Sequence, residues 1–183
     1  EYYLQVVWPE LNVNVVSTTE QWAGAAIAGP KSRDMLSKLY PDLDVSNDAL
    51  PFMGYKEADF FGVPSRIFRI SFSGELAYEI NVKSDHGMFM WEKMMEVGKE
   101  FGNQPYGTEA LSTLRIEMGH VAGPELDGRT IPSDVSLNGL VSKKKDFIGK
   151  NSLGREAFNV ESRQKIVGLI PIDIKSSIPE GSH

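Results

Sequence analysis

The segment 71–79 contains the residues best suited to bind a ligand. It holds an aromatic side chain at Phe72, the turn signal Ser-Gly-Glu at 73–75 and a carboxylate at Glu79. A carboxylate accepts paired hydrogen bonds from the edge of an amino-pyrimidine, and an aromatic ring adds stacking area. The segment could therefore hold a flat heterocycle that carries N–H donors. By residue type alone, a plain hairpin with a solvated glutamate is the commoner arrangement.

Two cationic features add candidate contacts for an anion. Arg115 can bind a carboxylate through paired hydrogen bonds, but its setting favours a structural pair with Glu117 or another surface acid. The lysines at 143–145 could receive an anionic tail, although such a run is more typical of a solvated surface. His86 and His120 stand near predicted helix ends without neighbouring ligands, so no metal site is predicted.

Motifs of several enzyme classes are missing from the sequence. There is neither the Gly-x-Gly-x-x-Gly loop of dinucleotide-binding domains nor the Gly-x-Ser-x-Gly turn of many hydrolases. The chain contains no cysteine, which excludes disulfides, thiolate nucleophiles and zinc sites built on sulfur. The residues alone therefore identify no catalytic group.

Composition describes an ordinary folded chain. Its 183 residues are 41% hydrophobic and 24% charged, enough for one substantial domain or two small ones. The net charge of -6 opposes binding to nucleic acid. No window approaches the roughly 20 apolar residues of a membrane helix. No nucleic-acid or membrane partner is therefore predicted, and a cytoplasmic location is expected.

The predicted strands and helices that would position these residues are mixed along the chain and do not follow a strict strand-helix alternation. Strands are predicted at 11–16 and 23–28, and a helix opened by Gly29-Pro30 follows them. A loop is expected from residue 42 to residue 54. The apolar stripe of that helix is predicted to consist of Met35, Leu36, Leu39 and Tyr40.

A hairpin is the natural interpretation of the next segment. A strand at 66–72, with Phe68, Ile70 and Phe72 on one face, turns at 73–75 into a strand with alternating apolar residues. Glu79 points away from the apolar face of its own strand, and we expect it to share a cleft with Phe72. The apolar residues of that second strand are Leu76, Tyr78, Ile80 and Val82.

Two further helices complete the predicted α+β fold, a mixed or antiparallel sheet with packed helices. The first is capped by Ser84-Asp85, and the second is predicted from Glu109 to Met118, with Thr108 as its cap and Gly119 at its end. After residue 134 the composition shifts, with a short helix predicted at 152–158 and a strand at 166–172. The stripe of the first of these helices is predicted to contain Met88, Trp91, Met95 and Phe101.

Four motifs resemble the aminomethyltransferase family, which is that of the glycine-cleavage T-protein, in the form found in alpha subunits of heterotetrameric sarcosine oxidases. They are ISFSGELAYEI at 70–80, PYGTE at 105–109, LRIE at 114–117 and VSKKKDFIGK at 141–150. Residues 22–36 also resemble the family's strand, Gly-Pro turn and helix. The four motifs occur in the family's order and spacing, and the likeness covers nearly the whole chain.

The resemblance implies a folate-binding site with Phe72, Glu79 and Arg115 as its candidate residues. Glu79 matches the glutamate that contacts the pterin, and Phe72 matches an aromatic residue beside it. Tetrahydrofolate is the implied ligand, and it traps the one-carbon unit of an oxidised N-methyl amine. FAD, FMN and NAD are implied only for the whole parent enzyme, and other sarcosine oxidase subunits are the implied partners. The family's catalytic aspartate lies outside this chain, so no catalytic residue is assigned.

The resemblance also implies the domain organisation. Residues 1–140 match a folate-binding domain whose N-terminal half is absent, and 141–183 match the start of a truncated C-terminal β-barrel-like unit. The family's usual tyrosine is Phe72 here, its arginine is Leu111 and its tryptophan is Gly139. The chain is thus expected to be the one-carbon-transfer portion of an enzyme and to be inactive alone. The alternatives are a scaffold that has lost folate binding and a stand-alone T-protein.

Overall fold

A computed structural model describes residues 1–173, 175–179 and 181–182. The chain divides into two compact units, Glu1–Leu114 and Arg115–His183. The first contains a sheet with packed helices, and the second is built mostly from turns. None of the helices in the described ranges is long and apolar enough to cross a membrane.

Four antiparallel strands form one sheet in the first unit, in the order β1-β4-β3-β2. Successive side chains of a strand point to opposite faces of the sheet. In these strands mainly apolar side chains lie on one face, and small, polar and aromatic side chains lie on the other. This arrangement confirms the α+β class with an antiparallel sheet and packed helices. The strands are β1 (Trp22–Ala28), β2 (Tyr55–Phe60), β3 (Val63–Phe68) and β4 (Ala77–Lys83).

A two-residue turn fixes the pairing of β2 with β3. Phe60 pairs with Val63, and Phe61 and Gly62 between them have φ angles of 53° and 90°. Positive φ at both central residues is the geometry whose twist matches that of an antiparallel hairpin. The Asp59 carboxylate accepts a hydrogen bond of 2.6 Å from the Gly62 N–H and closes the turn.

The longer helices are α1 (Ser32–Leu39), α2 (Gly87–Gly98) and α3 (Thr108–Met118), and α4 (Lys150–Leu153) is a single turn. The predicted end of α3 at Gly119 is confirmed, since Gly119 has a φ of 75°, and the helix begins at Thr108, one residue before its predicted start at Glu109. Shorter turns of 3-10 type are Thr19–Gln21, Ser84–His86, Lys99–Phe101, Gly123–Glu125, Asn138–Leu140 and Glu156–Phe158, and Tyr3–Val7 is a π-helical turn.

The core of the first unit lies between one face of the sheet and the helices α1 and α2. The sheet contributes alternate residues of each strand, and α1 contributes its predicted stripe, all four members of which are buried. The opposite face of the sheet is therefore left to polar and aromatic side chains. The fully buried members include Leu36, Phe60, Ile67, Tyr78, Ile80 and Val82.

Two strand predictions are corrected by this architecture. Residues 12–18 form no regular element, and Leu11, Val13 and Val15 stay between 41% and 49% exposed because no described strand pairs with them. The strand predicted at 66–72 runs from Val63 to Phe68, because the turn before it starts the pairing earlier. As a result Phe68 lies on the open face, and Ile67 lies on the buried one.

The apolar stripe predicted for α2 is wrong in part, although its last member, Phe101, packs against the core just after the helix. Met90 and Met94 face the core, whereas Met88 and Trp91 are 70% and 44% exposed. The helix is apolar around much of its circumference, so periodicity alone does not select the face that meets the sheet.

The strand predicted at 166–172 does not form. Ile170 and Ile172 are fully or nearly fully exposed, at 90% and 106%. Among the described residues from 141 to 182 there is one α-helical turn, one 3-10 turn and no strand, so the structure does not show the expected barrel-like unit.

An ion-pair network closes part of the second unit. Asp134 accepts from Arg163 through both of its oxygens, and the Nζ of Lys165 lies 3.5 Å from Oδ1. The Ile166 N–H also donates to the Asp134 carbonyl at 2.7 Å. The Arg163 hydrogen bonds hold the pKa of Asp134 well below its usual range, although burial of the carboxylate acts in the opposite direction. The network ties residues 163–166 to the turn around 131–134.

Replacing Val82 by alanine tests the core. We expect Val82→Ala to lower the free energy of unfolding by about 1.5–3 kcal/mol, because a fully buried side chain leaves a cavity. Val16→Ala is the matched control, since Val16 is 77% exposed and should change stability by about 0.5 kcal/mol or less. Urea denaturation followed by tryptophan fluorescence measures both. Equal effects of the two substitutions would contradict the assigned core.

The Asp134 network makes the second unit sensitive to acid. The pKa of Asp134 is lower in the folded chain than its value of about 3.9 in the unfolded chain. Its ion pairs therefore stabilise the fold fully at pH values above about 3.9, and this stabilisation is lost as the pH falls from there towards the folded pKa. We therefore expect Asp134→Asn to reduce hydrogen-exchange protection of the Ile166 amide at neutral pH, and the difference from wild type to shrink below about pH 4. Asp146→Asn, at the exposed Asp146–Lys150 pair, is the control. A difference that stays constant down to pH 2 would count against the assignment.

Candidate functional site

Strand β4 places Glu79 on the open face of the sheet, as its alternation predicts. The side chain is half-buried, and its two cross-strand neighbours are Ala26 on β1 and Phe68 on β3. Tyr55 pairs with Phe68 in turn, and the centroids of the two rings are 5.1 Å apart with a tilt of 38°. One row across all four strands thus consists of a small residue, a carboxylate and two aromatic rings, in the order Ala26, Glu79, Phe68 and Tyr55. We call it the Glu79 row.

A second row on the same face is internally paired. Arg66 lies with its guanidinium carbon 4.1 Å from the centre of the Trp22 ring, and its Nε is 3.5 Å from Glu57. The Tyr55 hydroxyl also donates to Glu57. In contrast, Glu79 has no hydrogen-bond or ion-pair partner within the described ranges. Of these two carboxylates, Glu79 is the one available to a ligand.

Small residues keep the surface of β1 open beside Glu79. Ala26 stands directly across from it, and Gly24 stands across from Asn81. A Cβ added at Gly24 would lie 2.7 Å from the side-chain oxygen of Asn81, which is closer than side chains approach one another. Gly24 therefore lets the Asn81 amide lie across β1, where it borders the Glu79 row.

Phe72 does not belong to either strand. It lies in the connection 69–76 between β3 and β4, and it is 39% exposed. The aromatic residue that faces Glu79 across the ladder is Phe68, which the sequence analysis did not assign to the site. The two-residue turn at 61–62 sets the pairing of β3, but the sequence signals this turn only weakly, through Gly62, because a bulky residue such as Phe61 seldom adopts a positive φ. A cleft shared by Phe72 and Glu79 remains a prediction.

Arg115 has the structural partner that its setting favours. It is 7% exposed, and its Nη1 donates to Glu125 at 2.7 Å and to the His120 carbonyl at 3.3 Å. Burial works against ionisation of Glu125, but hydrogen bonds from the Ala122 N–H and from Arg115 outweigh it and lower the pKa of Glu125. The acid is Glu125 and not Glu117. The implied role of Arg115 towards folate remains a prediction.

The second unit also contains a cavity of about 460 Å³. Its lining is mainly apolar and includes Ile131, Val135 and Phe147, with the Lys145 side chain among them. The lysine run is otherwise exposed, and the amides of Lys144 and Lys145 donate to the Ser142 hydroxyl. In the described part of the chain, no three His, Cys, Asp or Glu side chains cluster closely enough to hold a metal ion.

The chemistry available on the open face is recognition of a flat, hydrogen-bond-donating ring. The Glu79 carboxylate can accept two hydrogen bonds from adjacent N–H groups, and Phe68 can stack against a ring held there. The row is part of an open surface, so a ligand bound to it alone would remain largely exposed to solvent.

Comparisons with known proteins identify the family of this chain. The sequence model of the GCVT N-terminal domain matches residues 2–145. The sarcosine oxidase subunit alpha of Corynebacterium sp. (strain P-1) is 46% identical over 184 residues, which are 100% of this chain and 19% of that protein. The aminomethyltransferase of Bacillus subtilis (strain 168) is 36% identical over 166 residues, 88% of this chain and 45% of that protein.

A mammalian protein is also similar to most of this chain and to a small part of its own length. The mitochondrial dimethylglycine dehydrogenase of Mus musculus is 30% identical over 175 residues, which are 94% of this chain and 20% of that protein. The chain therefore spans about a fifth of the length of the sarcosine oxidase subunits that it matches.

A substitution at Gly24 tests the described packing beside the Glu79 row. We expect Gly24→Ala to turn the Asn81 side chain away, because the added Cβ would overlap its oxygen. Stability should change by only about 1 kcal/mol or less, since the overlapping atom is the end of a flexible side chain. The NMR signals of the Asn81 side-chain amide report the movement. Gly107→Ala, where the added atom meets no neighbour, is the control, and unchanged Asn81 signals in Gly24→Ala would contradict the packing.

Proposed function

The chain belongs to the aminomethyltransferase family of the GCVT domain, and we propose that it is the folate-binding, one-carbon-transfer portion of a sarcosine-oxidase-like alpha subunit. The parent protein in this proposal is an enzyme that oxidises an N-methyl amine. Tetrahydrofolate, when bound, accepts the one-carbon unit that the oxidation releases.

The observation that carries the proposal is the Glu79 row. Glu79 is half-buried and has no partner among the described residues, and Phe68 stands directly opposite it. A pterin has an amino-pyrimidine edge that donates adjacent hydrogen bonds and a flat ring that stacks. Hydrogen bonds to a charged group contribute about 1.5–3 kcal/mol each, so a paired set on Glu79 would orient the pterin edge.

The open shape of the face limits what this chain does alone. Small-molecule sites usually bury 70–90% of the ligand surface, and a single sheet face covers one side of a ring. We expect the isolated chain to bind tetrahydrofolate with millimolar affinity at best, which is on the order of 4 kcal/mol, and not to transfer a one-carbon unit. In the proposal, the remaining walls and the catalytic acid come from other parts of the parent protein, as do its flavin and nicotinamide sites.

A scaffold role is the second candidate function. The N-terminal segment keeps apolar side chains exposed, including Val6 at 60% and Val16 at 77%, which suits a contact with another subunit. A stand-alone aminomethyltransferase is the less favoured alternative, because the identity to the Bacillus subtilis aminomethyltransferase is 36% against 46% for the sarcosine oxidase subunit.

Titration with tetrahydrofolate tests the proposal. We expect millimolar tetrahydrofolate to shift the NMR signals of Ala26, Phe68 and Glu79, with half-saturation in the millimolar range. Glu79→Gln should weaken binding at least about tenfold, because it replaces a charged acceptor by a neutral amide that also carries donors. Glu75→Gln, at an exposed acid of the adjoining connection, is the matched control.

Two results would contradict the proposal in different ways. An absence of shifts on the open face at saturating tetrahydrofolate, or equal binding by Glu79→Gln and Glu75→Gln, would favour the scaffold role. Micromolar binding that Glu79→Gln abolishes would confirm the row as a folate site, but it would show that the isolated chain is a sufficient binder.

A further inference from the structure

Three buried polar atoms lack a hydrogen-bond partner within the described ranges, and all three belong to one short segment. They are Nε of Arg69, Oγ of Ser71 and the hydroxyl of Tyr78. A buried polar group without a partner costs about 1–3 kcal/mol, so natural folds seldom gather several of them in one place. The concentration of such atoms in this hairpin suggests a shared partner from outside the chain.

The strand register brings two of these residues together. Phe68 pairs with Glu79 at the end of the β3–β4 ladder, and Arg69 and Tyr78 are the residues that adjoin this last pair. Tyr78 is fully buried and points to the core face, whereas Glu79 points to the open face. The cluster therefore lies on the other side of the sheet from the Glu79 row.

A second guanidinium lies over the Tyr78 ring. The guanidinium carbon of Arg33 on α1 is 5.8 Å from the centre of the Tyr78 ring. Burial raises the pKa of Tyr78, and the positive charges of Arg33 and Arg69 oppose that shift. Both arginines are half-buried, whereas Tyr78 is fully buried.

Neither guanidinium is neutralised by a carboxylate of the described chain. Arg33 donates to the Val45 carbonyl and to the Asn47 side chain, and Arg69 donates to the Leu50 carbonyl. These acceptors are uncharged and belong to the loop between α1 and β2. The charges of Arg33 and Arg69 thus have no counter-charge among the nine ion pairs of the described residues.

The hydrogen bonds already made leave one edge of Arg69 free. Its Nη1 is used by the Leu50 carbonyl at 3.0 Å, and the edge formed by Nε and Nη2 has no partner in the described chain. That edge presents two parallel N–H groups, the fork that binds a carboxylate or phosphate with two hydrogen bonds. The hydroxyls of Ser71 and Tyr78 can each donate one more.

We propose that Arg33, Arg69, Ser71 and Tyr78 form an oxyanion site that takes the carboxylate or phosphate group of a ligand. Arg69 supplies the paired hydrogen bonds, Arg33 supplies the second positive charge, and the two hydroxyls bind from the buried side. Neither the row of Glu79 nor its proposed pterin contributes to this site, so the two proposals stand or fall separately.

Titration of the whole chain with inorganic phosphate and with acetate tests the site, with sodium chloride at equal ionic strength as the reference. The NMR signal of the Arg69 Nε–H reports occupancy directly. We expect phosphate or acetate to shift this signal beyond the effect of chloride and to raise the melting temperature. A stronger effect of phosphate would assign a phosphate-bearing ligand, and a stronger effect of acetate would assign a carboxylate.

Two variants and a control make the test decisive. Tyr78→Phe keeps the buried ring and should weaken anion binding about tenfold, which corresponds to about 1.4 kcal/mol. Arg69→Lys keeps the charge but removes the fork, and it should weaken binding by at least that factor. Tyr106→Phe, in a loop outside the cluster, should bind as wild type does.

Fold integrity is checked by the backbone amide signals of β4 in each variant. Without added anion, Tyr78→Phe should be as stable as wild type or more stable, because it removes a buried hydroxyl that has no partner. The proposal would be overturned if phosphate and acetate acted no differently from chloride, or if Tyr78→Phe bound the anion with unchanged affinity.

Discussion

The pairing of β4 between β1 and β3 is the constraint on which the rest of the structure depends. Each residue of β4 from 79 to 82 has a partner on both sides, so its side-chain direction is fixed by two ladders. A shift of one residue in either ladder would exchange the two faces. The buried side chains of Ile80 and Val82 would then meet solvent, and this penalty holds the register in place.

One consequence is that consecutive residues of β4 serve opposite sides of the sheet. Tyr78 joins the core and stands within reach of two arginines, and Glu79 joins the aromatic row on the open face. Burial of the apolar side chains of β4 therefore orients both the Tyr78 hydroxyl and the Glu79 carboxylate. Neither needs a dedicated hydrogen bond to hold its direction, which leaves the Glu79 carboxylate available to a ligand.

The sequence predicted the elements better than their registers. Alternation in β4, the stripe of α1 and the glycine that ends α3 are strong local patterns, and the structure confirms them. The extent of β3 was not predictable in this way, because it depends on a turn in which Phe61 adopts a backbone conformation that bulky residues seldom take. For the same reason Phe68 was missed as the partner of Glu79. The exposed face of α2 was missed because a helix apolar on several sides is oriented only by the sheet that it meets.

The central claim is that a pterin ring lies against the Glu79 row, and intermolecular nuclear Overhauser effects test it most directly. In a sample of the isotope-labelled chain with saturating tetrahydrofolate, the account predicts contacts between the pterin-ring methylene protons and the Phe68 ring, with further contacts to the Ala26 methyl group. Contacts with the methyl groups of Ile80, or contacts confined to residues of the second unit, would contradict it.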